Sequence, residues 1–563
     1  MRGFLAAFAP GGSGADGRAR EWVDDRLRRA RGRDQWNAEP QFVTHGDFAA
    51  AWWTEPGARV SASRVGSMTI IGDARLGDIS LDRFAELYRA NGERTLDDLD
   101  GEFALVLYDD AARSVVAVRD AFGVKRLFFR RVAEDGALFA SHLDLLSESS
   151  VADGDFAHCY LTGELPTDPT CTVWSDVRVV PSATSISLRH GSWRMRRYWQ
   201  PGVAKPEIPR GEQEQRAAFD AHLRAAVTAC IDADVPAWCE ISGGLDSGTV
   251  FAIAHDAGRV AGTYSYVDDM PGADERRFIS AIVGQRPVRN DHIEASYPWE
   301  DDGAPPPLTD EPRIYYPYWA RDRSAERIVR DAGGRYILSG AGSDYYLSGS
   351  AVVIADALAS WRVGNAVREA HAVAMAQRRS MWATLWRYGV RPWATSLVRF
   401  GADHDTHLRR NSRTFLEYAS TLHELPLTWP AVEKRYPFLN RALVDYALAL
   451  PSRMVFHDGL TKQMLRGNGA SALLPEIVRA RRTKGWIDGR ASWALSHEQR
   501  LVDRLVRDPL IAQAGWIDGA ELRATIARTR TGISPGAVPM MRALSLETWL
   551  AVRTGRWPQI AHD

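Results

Sequence analysis

Up to Trp199 the apolar positions fall in short runs closed by turn residues, a strand pattern rather than a helical one. Gly3-Phe4-Leu5-Ala6-Ala7-Phe8-Ala9 reads as a buried strand; with one basic residue before so short an apolar run, it is a poor signal peptide. Ser67-Met68-Thr69-Ile70-Ile71 predicts a strand ended by Gly72-Asp73. Phe103 to Tyr108 and Ser114 to Val118, flanking Asp109-Asp110, predict a hairpin. Val179 to Pro181, Ser185 to Leu188 and Trp193 to Trp199 add further strands. Pro201 to Pro209 holds three prolines and little apolar pattern, and reads as a linker.

Beyond the linker the period changes. Gln213 to Cys230 predicts a helix, Trp238 to Ile241 a strand, and after a glycine turn a helix runs through Phe251 and His255. A strand at Thr263 to Val267, a helix from Asp274 to Gly284 and a later strand at Tyr336 to Leu338 continue the alternation. Strands alternating with helices predict a parallel sheet that binds its ligand at the strands' C-terminal ends. Beyond Ser350 the pattern is mostly helical, with Trp361, Trp382, Trp386, Trp393 and Trp429 spaced for core packing of amphipathic helices or for lining a peptide-sized cavity. The expected architecture is therefore α/β with two domains, a β-rich one over 1–205 and a parallel-sheet one over 206–563.

A chain of 563 residues has room for both, and 45% hydrophobic with 25% charged residues is a soluble globular composition. Lys plus Arg total 70 against 71 for Asp plus Glu, so no global field attracts nucleic acid. No apolar run is long enough to span a membrane, and a cytoplasmic location is the default expectation. The 4 cysteines (Cys159, Cys171, Cys230, Cys239) form no Cys-x-x-Cys and are too few for a disulfide framework. His404-Asp405-Thr406-His407 reads as a solvated polar loop before it reads as a metal site. Only five lysines occur, at 125, 205, 434, 462 and 484, so each can be questioned individually.

Ser242-Gly243-Gly244-Leu245-Asp246-Ser247 sits between a predicted strand and a predicted helix. Two glycines let backbone amides approach an anion, the helix start adds its positive end, and both serines can donate to phosphate oxygens. Asp246 would repel a bare phosphate, which points to a bridging divalent cation. As a purely structural feature the segment would be a glycine turn capped by Asp246 and Ser247.

Ser-Gly-Gly-x-Asp-Ser resembles the pyrophosphate loop of the ATP pyrophosphatases, and the wider chain resembles the asparagine synthetase family. Gly101-Glu102-Phe103-Ala104, Arg119 to Lys125 and Phe139-Ala140-Ser141 are similar to that family's amino-terminal, glutaminase-like β-sandwich of the N-terminal-nucleophile type. Leu338 to Asp344, Glu433 to Leu439, Thr461 to Arg466 and Arg482-Thr483-Lys484-Gly485 are similar to segments of its Rossmann-like synthetase domain. The resemblance implies ATP and Mg²⁺, with the metal on Asp246 and Asp344. It implies that Ser242, Gly243, Gly244, Asp246, Ser247, Tyr266, Gly340, Gly342, Lys462 and Lys484 contact ATP or pyrophosphate. Lys462 and Lys484 would face developing negative charge, Lys484 by its match to the lysine of the β-lactam-forming synthetase. Glu433 would serve as a base or simply pair with Arg435.

Two departures narrow the expectation. Glutamine-dependent members begin Met-Cys-Gly, whereas Met1-Arg2-Gly3 stands here, so glutamine hydrolysis is expected to be absent and the amine to come with the substrate or as ammonia. Ala341 stands where β-lactam enzymes place a tyrosine, and Tyr345 and Tyr346 lie on the far side of Asp344. Asn440 replaces the aspartate usual after Phe-Leu. The remaining string most resembles the lasso peptide cyclases, which adenylate an Asp or Glu side chain of a precursor core peptide and close a macrolactam with its N-terminal amine. A leader peptidase and a leader-binding protein are the partners this implies, with no nucleic acid and no membrane. The alternatives are a small-molecule amide or β-lactam synthetase, an ammonia-dependent asparagine synthetase-like enzyme and a non-catalytic nucleotide-binding protein.

Overall fold

The structure, a computed structural model, describes residues 3–11, 17–30, 39–54, 60–77, 79–132, 135–149, 151–270, 273–294, 305–314, 318–400, 406–421, 432–467, 473–482, 487–532 and 537–557. Two six-stranded antiparallel sheets come first. One orders Arg178–Val179, Phe128–Val132, Gly136–Ala140, Gly3–Phe8, Phe48–Trp53 and Gln41–His45. The other orders Ser192–Arg197, Thr184–Arg189, Ser114–Arg119, Glu102–Asp109, Met68–Arg75 and Val60–Val65. Phe4, Ala6 and Phe8 meet Ile71, Val106 and Ala117 between the sheets, while Leu5 and Ala7 face outward onto the helix Arg18–Ala30. Both faces of Gly3–Phe8 are thus covered, which is why an unbroken apolar run forms this strand. The expected hairpin forms, with Asp109 paired to Ser114.

A five-stranded parallel sheet follows, ordered Asn290–Glu294, Val260–Val267, Ala237–Glu240, Tyr336–Leu338 and Glu433–Arg435. The helices Glu212–Ala229, Leu245–Asp256 and Arg276–Gln285 appear where the pattern placed them. Beyond Ser350 the described residues are mostly helical, as expected, and Glu433–Arg435 is a strand among them that the pattern did not show, three residues being too few for a strand period.

The expected boundary at 205 is crossed by packing in three places. The proline-rich linker is pinned, since the Gly202 N–H donates to Asp445 (2.8 Å) and Arg413 donates to the carbonyls of Pro201 (2.8 Å) and Gly202 (2.6 Å). A buried charge network joins the halves: Lys125 meets Glu433 (2.5 Å) and Asp73 (3.3 Å), while Arg75 binds Glu102 (2.8 Å) and the Ala229 carbonyl (2.6 Å). The helices beyond 487 fold back, placing Leu495, Leu544 and Trp549 in one core with Leu5, Leu138 and Val173.

Two expectations fail here. Trp361, Trp382 and Trp386 are 83%, 71% and 61% exposed instead of packing in the core. The core of this region is built instead from Ile354, Ala366, Ala370, Val373, Leu408 and Phe456, and the three indoles lie outside it. Trp393 is half-buried, and Trp429 lies outside the described residues. His407 is not solvated: it starts the helix His407–Thr421 and pairs with the buried Asp356 (3.0 Å), while His404 and Asp405 lie outside the described residues.

Candidate active site

The strand Ala237–Glu240 runs out at Ile241, and the chain turns on Gly243, whose φ is +69°. A side chain there would be strained, and its Cβ would also stand 2.9 Å from that of Phe278. Gly244 then caps the helix Leu245–Asp256 in an extended conformation. The Ser247 hydroxyl accepts the Ser242 N–H (3.1 Å) and lies 3.0 Å from the Ser242 hydroxyl, which curls the loop around the helix start.

The neighbouring strand, Tyr336–Leu338, delivers a second loop to the same sheet edge. Gly340 lets the two loops touch backbone to backbone: an added Cβ would sit 2.5 Å from the Ser247 nitrogen. Gly342, at φ +103°, packs under Leu439 and turns the chain into the short helical turn Ser343–Tyr345, which carries Asp344. The Ser348 hydroxyl donates to Asp344 at 2.7 Å.

Lys462 ties the loops together. Its ammonium contacts the Asp246 carboxylate, lies 2.6 Å from Asp344 and is 3.5 Å from the Ser343 hydroxyl. The side chain is 3% exposed and its backbone is left-handed, φ +57°, with the N–H held by the Leu347 carbonyl at 3.1 Å. Burial pulls this ammonium down, but Asp246 and Asp344 outweigh it and hold the lysine above its ordinary value. One oxygen, Asp246 Oδ1, is buried with no hydrogen-bond partner. Two carboxylates, one of them with an unmatched buried oxygen, and the hydroxyls of Ser242, Ser247 and Ser343 form a donor set that suits a hard divalent cation.

Ser242, Gly243, Gly244, Asp246, Ser247, Gly340, Gly342, Asp344 and Lys462 are therefore brought together. Tyr266 is engaged elsewhere: its hydroxyl donates to Asp322 (3.0 Å) and Arg321 lies over its ring. Glu433 begins the edge strand, at the end of the sheet opposite the loops, with one oxygen on Lys125 and the other on Arg435 (3.0 Å). The pairing with Arg435 is thus what the structure contains. Lys484 lies outside the described residues. Tyr346 donates its buried hydroxyl to the Phe438 carbonyl (2.8 Å). Sequence reasoning missed Arg481, which stacks on Phe278, reaches the Gly243 carbonyl (3.4 Å) and pairs with Glu275, bracing the glycine loop. Its only signal was adjacency to Arg482-Thr483-Lys484.

The profile described as asparagine synthase matches residues 218–551, more than half of the chain. This chain belongs to the asparagine synthase family. A glutamine amidotransferase domain profile matches residues 82–199. The glutamine-hydrolyzing asparagine synthetase of Asparagus officinalis is 32% identical over 183 residues, 31% of this chain and 26% of that protein. Asparagine synthetase 2 of Arabidopsis thaliana, also glutamine-hydrolyzing, is 28% identical over 170 residues, 30% of this chain and 25% of that one. Amidase chyE of Penicillium rubens is 29% identical over 177 residues, 30% of this chain and 25% of that one. The chain thus spans about a quarter of the curated relatives it matches.

Proposed function

We propose that this member of the family is an ATP-dependent, AMP-forming carbon–nitrogen ligase that acts on a peptide as a lasso peptide cyclase. The observation that carries the ligase reading is the pairing of Asp246 and Asp344 across one buried ammonium, beside an unmatched carboxylate oxygen and a glycine-lined loop. Asp246 and Asp344 would hold Mg²⁺, which supplies charge neutralisation between the phosphates of ATP. The loop from Ser242 to Ser247 binds the pyrophosphate end through its hydroxyls and the helix start. A substrate carboxylate oxygen attacks the α-phosphorus, the bond to the β-phosphate oxygen breaks, and pyrophosphate leaves. Lys462 donates to the departing oxyanion, a role a compact ammonium fills better than a broad guanidinium, and Lys484 is assigned the acyl-adenylate. The N-terminal amine then attacks the carbonyl carbon, AMP leaves, the amine loses a proton and an amide remains. Holding amine and acyl group in one molecule supplies much of the rate.

The thiols support an amine that arrives with the substrate. Burial pushes Cys159 up, Cys171 up to about 12 and Cys230 up to about 11, and raises Cys239 as well, so none is an activated nucleophile. The exposed tryptophans Trp361, Trp382 and Trp386 favour a surface role for the helical layer, such as contact with the expected leader peptidase or leader-binding protein. The test supplies ATP, Mg²⁺ and a leaderless peptide with an Asp or Glu several residues in. AMP formation with a product lighter by one water is expected, and Lys462→Ala should lower its rate by about two to three orders of magnitude. AMP formation with ammonia and free aspartate, and none with any peptide, would replace the cyclase by an ammonia-dependent amide synthetase.

A further inference from the structure

A second group of metal-ligating side chains lies outside the phosphate loops. Glu369, His457 and Asp458 each offer one ligand atom, all within 4.8 Å of one another. Glu369 comes from the buried side of the helix Val363–Gln377, and its side chain is only 9% exposed. His457 and Asp458 come from a tight turn closed by the backbone bridge between His457 and Leu460. Glu369 Oε1 accepts from His457 Nδ1 (2.6 Å) and from the Asp458 N–H (3.2 Å). Its other oxygen, Oε2, is buried and has no hydrogen-bond partner. Leaving a carboxylate oxygen unmatched inside a protein is unfavourable, and more so when it is charged. His457 and Asp458, 43% and 60% exposed, leave the outer side of the group open to solvent, and Asp458 Oδ2 lies 3.5 Å from the second imidazole nitrogen.

We infer that Glu369, His457 and Asp458 bind a first-row divalent cation, with Zn²⁺ as its natural probe. One imidazole and two carboxylates are a ligand set such ions accept, and the open side leaves a position for water. Coordination by Glu369 Oε2 would satisfy the unmatched atom. The position gives the ion a task. Lys462 follows the same turn closely, Gln463 donates to the His457 carbonyl (2.9 Å), and Gly459 packs on the Ala372 carbonyl of the helix. A cation here clamps the segment that presents Lys462 onto the helix Val363–Gln377.

The test measures bound metal, so it does not depend on the ligase reading. The full chain is stripped with a chelator, given Zn²⁺, desalted and analysed for metal content. Asp246→Asn is included to remove a carboxylate from the phosphate-loop site, and Asp458→Asn because an exposed change there leaves the Glu369–His457 pair intact for folding. About one Zn²⁺ should stay with the wild type and with Asp246→Asn. His457→Ala and Asp458→Asn should each weaken retention by about tenfold or more. Failure of the wild type to retain Zn²⁺, retention by His457→Ala and Asp458→Asn as tight as the wild type's, or loss in Asp246→Asn alone would each overturn the site.

Discussion

An added methyl at Gly340 would stand 2.5 Å from the Ser247 nitrogen and 2.8 Å from its Cα. Both are backbone atoms, so no side-chain rotation relieves the clash, and the loops bearing Asp246 and Asp344 must separate. Displacement of about 1 Å at a reacting centre lowers rates about a hundredfold, and that loss of AMP formation is expected of Gly340→Ala. Gly364→Ala is the control, since nothing lies within 4 Å of its added carbon and it sits in a helix, so its thermal midpoint should hold or rise. Equal effects of the two substitutions would refute the close-approach argument. Asn440 shows the same economy in a polar residue. Its side-chain oxygen caps the helix Arg441–Ala449 at the Leu443 N–H, and its amide donates to Asp100 (2.8 Å). An aspartate would cap equally well but would face the Asp100 carboxylate, which explains the departure from the family's usual residue.

Among elements, the three-residue strand Glu433–Arg435 is the least visible in the sequence and consists entirely of charged residues. Glu433 lies between Lys125 and Arg435 with both oxygens bound, 5% exposed. Removing one partner of a buried ion pair strands the other and is unfavourable by about 3–5 kcal/mol. Lys125→Met and Glu433→Leu should each destabilise the chain by about that much in urea unfolding, while the double substitution should cost less than their sum, although Asp73 and Arg435 then each lose one partner. Simple additivity of the two would show that they do not interact. The contrast explains what the sequence revealed. The loop Ser242–Ser247 was legible because its glycines, hydroxyls and carboxylate must be neighbours in the chain to form an anion cradle. The Gly340–Asp344 loop was legible for the same reason. Lys125 and Glu433 are 308 positions apart, and no local pattern announces their pairing. Glu433 was therefore open to reading as a base, and the strand that holds it was hidden within a helical stretch.

At the scale of the whole molecule, the chain closes on itself through its last described helix, Ala537–Arg553. Trp549 lies 5.5 Å from Trp174 and donates to the Thr309 carbonyl (2.9 Å), and Arg553 pairs with Asp144 (2.8 Å). Asp310 sits at this seam and accepts the Asp144 N–H at 3.4 Å. Desolvation, with the charges of Asp144 and Glu311, pushes its carboxyl up to about 8, although Arg553 and the Asp144 N–H pull the other way. In the unfolded chain the same group releases its proton near its ordinary value of about 3.9. Between those values the folded chain holds a proton that the unfolded chain has lost, so raising the pH favours unfolding. The contribution is complete below about pH 4 and is lost as the pH passes through 8. Asp310→Asn keeps the shape and removes the titration. Unfolding midpoints recorded from pH 5 to 8 should therefore fall less steeply for the variant than for the wild type. Parallel profiles would place the proton on another group and leave the seam between the C-terminal helix and the β-sandwich indifferent to pH.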